Sequence, residues 1–197
     1  MSKPDEYVRT FIAVEVPDEV KARMRDVQAE LKKSGADVGW VRPEGIHLTL
    51  KFLGDFPAAR VAELAVELDR ALADIGPFSL TVAGTGVFPT IRSPRVVWLG
   101  VYGDLGPLKV ACGRVEAVCE TFGFAREGRA FTPHLTLGRV KSQHGRDGLA
   151  GLVKQFETFE AGSFRVSSVS VMKSELRPSG AVYTEMAGIK LKGEHNG

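Results

Sequence analysis

Two of the four histidines in the sequence head the same tetrapeptide, His47-Leu48-Thr49-Leu50 and His134-Leu135-Thr136-Leu137, nearly half a chain apart. Both stand in stretches of large apolar and β-branched residues that read as strands, along which successive side chains alternate between faces. On that reading His47, Thr49 and Lys51 share one face, His134 and Thr136 share one face, and leucines fill the opposite faces. Imidazole is the side chain whose proton moves near neutral pH, and two of them facing each other can act as base and acid across one reacting centre. A threonine hydroxyl two residues on can donate a hydrogen bond to an oxygen of a bound anion. The set suits in-line displacement at phosphorus: one imidazole takes the proton of an attacking hydroxyl or water, and the other gives a proton to the departing oxygen. Arg139, five residues past His134, is spaced to offer a planar fork to non-bridging phosphate oxygens. The scheme needs no metal. With no CxxC, no HExxH and no third ligand near either motif, neither a metal nor a cofactor is expected.

A purely structural origin has its own logic. Threonine is a good strand residue, and a lone half-buried histidine in a strand is more often structural than catalytic. Repetition of the same three residues after two of four histidines is hard to reach by chance, yet an internal duplication would also keep it for packing. The residues alone therefore favour an enzyme and leave a binding module open.

The elements that must position these strands follow from periodicity. YVRTFIAVEV reads as a strand, and Pro17-Asp18-Glu19 opens a helix that runs to about Ser34-Gly35. GWVRP and IHLTLKFLG read as a strand pair. Helical apolar spacing fills Pro57 to about Asp74 and again GPLKVACGRVEAVCETFGF, with strands FSLTVAGTGVF and RVVWLGVYG between them. FTPHLTLGRV is a strand, KSQHGRDG a polar loop, and a short helix spans about Leu149 to Gln155. FRVSSVSVMKSEL and AVYTEMAGIKL close the chain as a strand pair. Long helices separated by paired strands point to an α+β fold of mostly antiparallel sheets with helices outside. Each half holds strands, a helix and one HLTL strand, so the expectation is one domain over residues 1–197. It would be built of two interleaved, duplicated lobes related by a pseudo-twofold axis around a central cleft.

Composition bounds the rest. At 197 residues with 44% hydrophobic and 25% charged residues, the chain has the make-up of a globular protein with one well-buried core. A formal net charge of +2 diagnoses no partner. The N-terminus lacks the basic, apolar, small-residue order of a signal peptide, and no apolar run is long enough to cross a bilayer. Cys112 and Cys119 are seven apart in a helical segment, two turns from each other and too distant to bridge. Both read as core thiols of a reducing, cytoplasmic compartment.

The two H-x-[ST]-x motifs have company in RTFIAVEVP, WVRPEGIHLTLKFLGD, SPRVVWLGV and SELRPSGAVYTEM. In that order they resemble the 2H phosphoesterase superfamily, and within it the RNA 2′,3′-cyclic phosphodiesterases first known as 2′-5′ RNA ligases. The resemblance runs from about Arg9 to Met186. It implies a bilobal α+β fold with both motifs lining a cleft, and opening of a terminal RNA 2′,3′-cyclic phosphate to a 2′-phosphomonoester. By similarity His47 is the proton donor to the departing 3′ oxygen and His134 the acceptor that activates water. Thr49 and Thr136 hold phosphoryl oxygens, and Arg139 assists them. Ligation of tRNA halves through a 2′-5′ bond would be the same chemistry in reverse. The implied partner is RNA with a cyclic-phosphate end, tRNA fragments included, and the protein is expected to act as a monomer away from membranes.

Other residues carry weaker expectations. Lys51 either helps hold phosphate or is a solvated strand lysine. Arg92 and Arg95 flank Ser93-Pro94 in a loop able to meet an RNA backbone. Trp40, Trp98 and Phe11 read as core, Ser174 and Tyr183 as cleft-lining or packing residues, and His144 and His195 as solvated. Two other functions stay open: a related enzyme acting on another cyclic or 2′-5′ nucleotide, and a module that binds RNA ends without turnover.

Overall fold

The structure is a computed structural model in which residues 6–178 and 180–193 are described. Nine strands form two sheets, one of four strands in the order β3-β1-β8-β9 and one of five in the order β2-β6-β5-β4-β7, with every pairing antiparallel. In chain order the strands are β1 (Tyr7–Glu15), β2 (Val38–Trp40), β3 (His47–Pro57), β4 (Phe78–Thr90), β5 (Ser93–Gly103), β6 (His134–Val140), β7 (Glu160–Val166), β8 (Ser168–Arg177) and β9 (Gly180–Lys190). The helices are α1 (Asp18–Lys32), α2 (Val61–Ala71), α3 (Leu105–Thr121) and α4 (Arg146–Gln155).

The helices form where apolar spacing gives each one buried stripe. In α1 that stripe is Val20, Met24, Val27 and Leu31, and Pro17 ahead of it has the φ of −64° that suits a helix start. Asp18 and Glu19 in its first turn complement the helix dipole. In α3 the stripe is Leu108, Ala111, Cys112, Val115 and Cys119. Helices α2 and α3 pack against β9 and β3 of the four-stranded sheet, and α1 and α4 against β7 and β4 of the other. The α+β class, antiparallel sheets and outer helices agree with the sequence reading.

Two pairings differ from it. β2 does not join β3: Val38, Gly39 and Trp40 pair with Val140, Arg139 and Gly138 of β6, whereas β3 pairs with β1. The chain also changes sheets at Ser167, so FRVSSVSVMKSEL is two strands, β7 on β4 and β8 on β1. Chain connectivity therefore interleaves the sheets, and the two sheets are not the two halves of the sequence.

One apolar core runs through both sheets, and Leu48, Leu50, Leu135 and Leu137 are all in it at 5% exposure or less. Burial of each such leucine stabilises the fold by about 1.5–3 kcal/mol, so the motif backbones are held from behind. A small separate cluster of Phe11, Ala13 and Met172, with Tyr183 packed on it, covers the other face of the four-stranded sheet. Cys112 and Cys119 are buried free thiols, and burial raises them to about 11 and about 12 respectively.

Candidate active site

Register decides which side chains share a face. His47 lies opposite Glu15 and Thr49 opposite Ala13, after which the β3 register slips, so that Lys51 is opposite Ile12 and Phe52 opposite Phe11. Directly opposed residues of an antiparallel pair share a face. His47, Thr49 and Phe52 therefore lie with Ala13 and Phe11 on one face, and Lys51 lies with the buried Ile12 on the other. This corrects the expectation that Lys51 joins His47: one extra residue at the bulge reverses the alternation beyond it. Lys51 is 8% exposed, and its ammonium donates to Glu116 of α3 at 2.7 Å and to the Ala125 carbonyl at 2.6 Å.

The second motif carries the same device. His134 is opposite Gly100 and Thr136 opposite Trp98, the register slips past Leu137, and Arg139 is opposite Val96. Gly100, Trp98 and Val96 alternate along β5, which puts His134, Thr136 and Arg139 on one face. Without the bulge Arg139 would point with the leucines. A helix side chain braces each slip: Gln28 Nε2 of α1 donates to the Leu137 carbonyl at 2.9 Å, and Cys112 Sγ of α3 reaches the Leu50 carbonyl at 3.8 Å. Gln28 also donates to the Val41 carbonyl at 2.7 Å and is itself 1% exposed. Its polar side chain within the apolar stripe of α1 was the one signal of that role in the sequence.

Each imidazole is pinned by a carbonyl two residues upstream. His47 Nδ1 lies 2.8 Å from the Gly45 oxygen and His134 Nδ1 lies 2.7 Å from the Thr132 oxygen. A carbonyl only accepts, so each Nδ1 carries hydrogen and each Nε2 is left for chemistry. His47 stacks on Phe11 with ring centres 4.4 Å apart and meets the edge of Tyr183 at 4.9 Å. Gly45 leaves room for that ring, since a Cβ there would fall 2.9 Å from Tyr183. Burial pushes the His47 imidazole down to about 4, with the Lys21 charge adding to it and the Gly45 hydrogen bond opposing it. His134 meets the edge of Phe88 at 5.0 Å.

Thr49 and Thr136 are half-buried, and among the described residues neither hydroxyl has a hydrogen-bond partner. Arg139 is exposed and has no carboxylate partner among the described residues. β3 and β6 approach one another, which brings the two motif strands together.

Of the residues with weaker expectations, Trp98 departs from its placement in the core. Trp98 is half-buried on the His134 face, its ring lying over Gly86, where a Cβ would stand 2.3 Å from it. Its indole N–H is buried without a partner among the described residues. Arg92 and Arg95 are exposed at the β4–β5 turn. Ser174 is opposite Tyr183. His144 is exposed, and His195 lies outside the described residues.

The model of a family described as LigT like Phosphoesterase matches residues 14–98 and 105–183. The chain is 38% identical over 189 residues to the RNA 2′,3′-cyclic phosphodiesterase of Methanothermobacter thermautotrophicus, covering 93% of this chain and 99% of that protein. It is 34% identical over 186 residues to the one from Thermotoga maritima, covering 94% and 97%. The crystal structure of TT0787 of Thermus thermophilus is similar at a TM-score of 0.78 and 29% identity, covering 95% of this chain and 100% of that one. That of E. coli LigT complexed with 3′-AMP is similar at a TM-score of 0.74 and 25% identity, covering 94% and 99%.

Proposed function

The chain belongs to the LigT-like phosphoesterase family, and we propose that it hydrolyses the 2′,3′-cyclic phosphate at an RNA end to a 2′-phosphomonoester. The relatives' names supply the substrate class. The observation that carries the reading is the matched pair of imidazoles, each held at Nδ1 by a backbone carbonyl and each beside a threonine hydroxyl with no partner among the described residues.

In the proposed reaction His134 Nε2 takes a proton from water as its oxygen bonds to phosphorus. His47 Nε2 gives a proton to the 3′ oxygen as the P–O3′ bond breaks, leaving a 3′-hydroxyl and a 2′-phosphate. The two roles interchange in the reverse direction, which is the chemistry that ligation of tRNA halves would need. Thr49, Thr136 and Arg139 donate hydrogen bonds to the non-bridging oxygens, where charge builds in the transition state. His47 must be protonated to serve as the acid, whereas burial holds it near 4. The phosphate anion supplies the missing opposite charge and raises it on binding. One chain carries both motifs, so a monomer suffices. Among the described residues no helix is long and apolar enough to cross a membrane, and the two free buried thiols suit a reducing cytoplasm.

The test incubates the protein, with EDTA present, with a short RNA ending in a 2′,3′-cyclic phosphate and reads the product end by phosphorus NMR. His47→Ala and His134→Ala run alongside. A 2′-phosphate formed by the wild type and slowed about 10²- to 10⁴-fold in each variant supports the roles. A cyclic end bound but unchanged would leave a binding module, and turnover confined to other cyclic nucleotides would change the substrate.

A further inference from the structure

β6 sets its polar residues in a row. His134, Thr136 and Arg139 share one face, and Lys141 follows Arg139 by two residues, the period of a strand. On this basis, and resting on the reading of an RNA end as substrate, we propose that Lys141 holds the internucleotide phosphate next to the terminal cyclic phosphate, so that the site prefers an RNA chain to a mononucleotide.

Gly39 of β2 shows where the lysine points. It lies directly opposite Arg139, so a side chain there would share the Arg139 face. A Cβ on Gly39 would stand 3.0 Å from Lys141 Cε and 3.9 Å from its Nζ. The lysine therefore lies across Gly39 on the face that carries Arg139, in space that the glycine leaves open. Its backbone is fixed as well, since the Lys141 N–H donates to the Asp37 carbonyl at 2.8 Å. Both cations are exposed, and among the described residues neither has a carboxylate partner, the nearby Asp37 included. Neighbouring like charges repel, and a bound anion removes that cost.

Two cations near the first motif are committed instead. Lys21 Nζ donates to the Glu44 carbonyl at 3.2 Å, and Arg25 pairs with the Glu44 carboxylate at 3.0 Å. A polyanion leaving the cleft along β6 meets positive charge that is not so engaged. The spacing agrees with the ligand. Arg139 and Lys141 are about 7 Å apart along the strand, and one ribose with its ester oxygens separates successive phosphates by a distance of that order. With Arg139 on the cyclic phosphate, Lys141 meets the phosphate on the 5′ oxygen of the same ribose. A nucleoside 2′,3′-cyclic phosphate has no such group.

The test compares three substrates for wild type, Lys141→Ala and Lys141→Arg. They are adenosine 2′,3′-cyclic phosphate, an adenosine dinucleotide ending in a 2′,3′-cyclic phosphate, and the same dinucleotide with an uncharged methylphosphonate between its nucleosides. Binding of the corresponding 2′-phosphates is measured by calorimetry at several salt concentrations. Wild type should favour the charged dinucleotide in KM and Kd. Lys141→Ala should raise both about three- to tenfold for that ligand alone, reduce the salt slope of its binding by about one and leave kcat unchanged. Lys141→Arg should restore the preference. An effect of Lys141→Ala on all three ligands alike, or on none, would overturn the contact. So would a wild type that binds the charged and uncharged dinucleotides equally. Preference for the charged dinucleotide that depends on Lys141, without turnover of any cyclic phosphate, would support the contact and overturn the hydrolase reading alone.

Discussion

Lys51 and Glu116 form a buried ion pair 2.7 Å long on the helix side of the strand whose other face carries His47 and Thr49. The pair joins β3 to α3. The same lysine holds the Ala125 carbonyl, and the Glu116 carboxylate accepts the Glu127 N–H, at the start of the segment that leads to Thr132 and His134. Lys51→Met leaves a carboxylate buried alone and should destabilise the protein by about 3–5 kcal/mol. Replacing both partners, in Lys51→Met with Glu116→Leu, should recover much of that loss, because two apolar side chains need no charge partner. Urea unfolding measures both effects. If Lys51 is structural, the folded double variant keeps kcat/KM within a few-fold of wild type; a hundredfold loss with the fold intact would return Lys51 to the phosphate.

The His47 imidazole couples stability to pH. Its pKa is about 4 when folded against an ordinary 6.5, because burial disfavours the charged form. Above pH 6.5 the ring is neutral in both states and contributes nothing to the pH dependence. As pH falls from 6.5 towards 4, the unfolded chain binds a proton that the native state refuses, so stability drops, on the order of 3 kcal/mol in total. His47→Gln, neutral at every pH, should lack this part of the acid loss. Denaturant unfolding of the two proteins between pH 7 and pH 4.5 checks it, and parallel curves would contradict it.

Binding of an anion should move the same group the other way. With adenosine 2′-monophosphate in the cleft, the His47 resonance followed by NMR through a pH titration should shift its midpoint upward from about 4. An unchanged midpoint would put the phosphate elsewhere and remove His47 as the acid.

The sequence carried the histidines, the hydroxyls and the buried leucines, because strand alternation follows from backbone geometry alone. It also carried all four helices, each through its apolar stripe. What alternation could not show was where it breaks. Lys51 read as sharing the His47 face, and a single bulge moves it to the opposite one. Arg139 shares the face of His134 through the matching bulge after Leu137, which an unbroken strand would not give at a spacing of five. Strand partners were equally hidden. β2 and β3 are neighbours in sequence and lie in different sheets, β2 on β6 and β3 on β1, and no local pattern states the partner of a strand.

Gln28 tests whether the second bulge matters to the site. Its amide donates to the carbonyls of Val41 and Leu137, and Leu137 still accepts the Val41 N–H at 2.9 Å without it. Gln28→Met keeps the volume and strands the Val41 carbonyl, which should cost about 1–3 kcal/mol. Hydrogen exchange of the β2 and β6 amides should quicken in this variant, and KM should rise more than kcat falls if the slip beyond Leu137 aims Arg139. Unchanged exchange would mean that the backbone holds the bulge unaided.

Arg139 separates charge from geometry. It is exposed and without a carboxylate partner among the described residues, so its loss should leave thermal stability nearly unchanged. A hydrogen bond from a charged donor contributes about 1.5–3 kcal/mol, and each 1.36 kcal/mol of transition-state stabilisation is tenfold in rate. Arg139→Ala should therefore lower kcat/KM on a cyclic-phosphate RNA about 10- to 100-fold. Arg139→Lys keeps the charge and loses the planar fork, so it should fall between the two. The salt dependence of kcat/KM gives an independent reading, since removal of a phosphate-contacting cation reduces its slope whereas Arg139→Lys keeps it. If Ala and Lys behave alike, the fork is what the phosphate uses; if Lys equals wild type, charge alone suffices. If both match wild type, the second bulge presents Arg139 to solvent and the two hydroxyls hold the phosphate unaided.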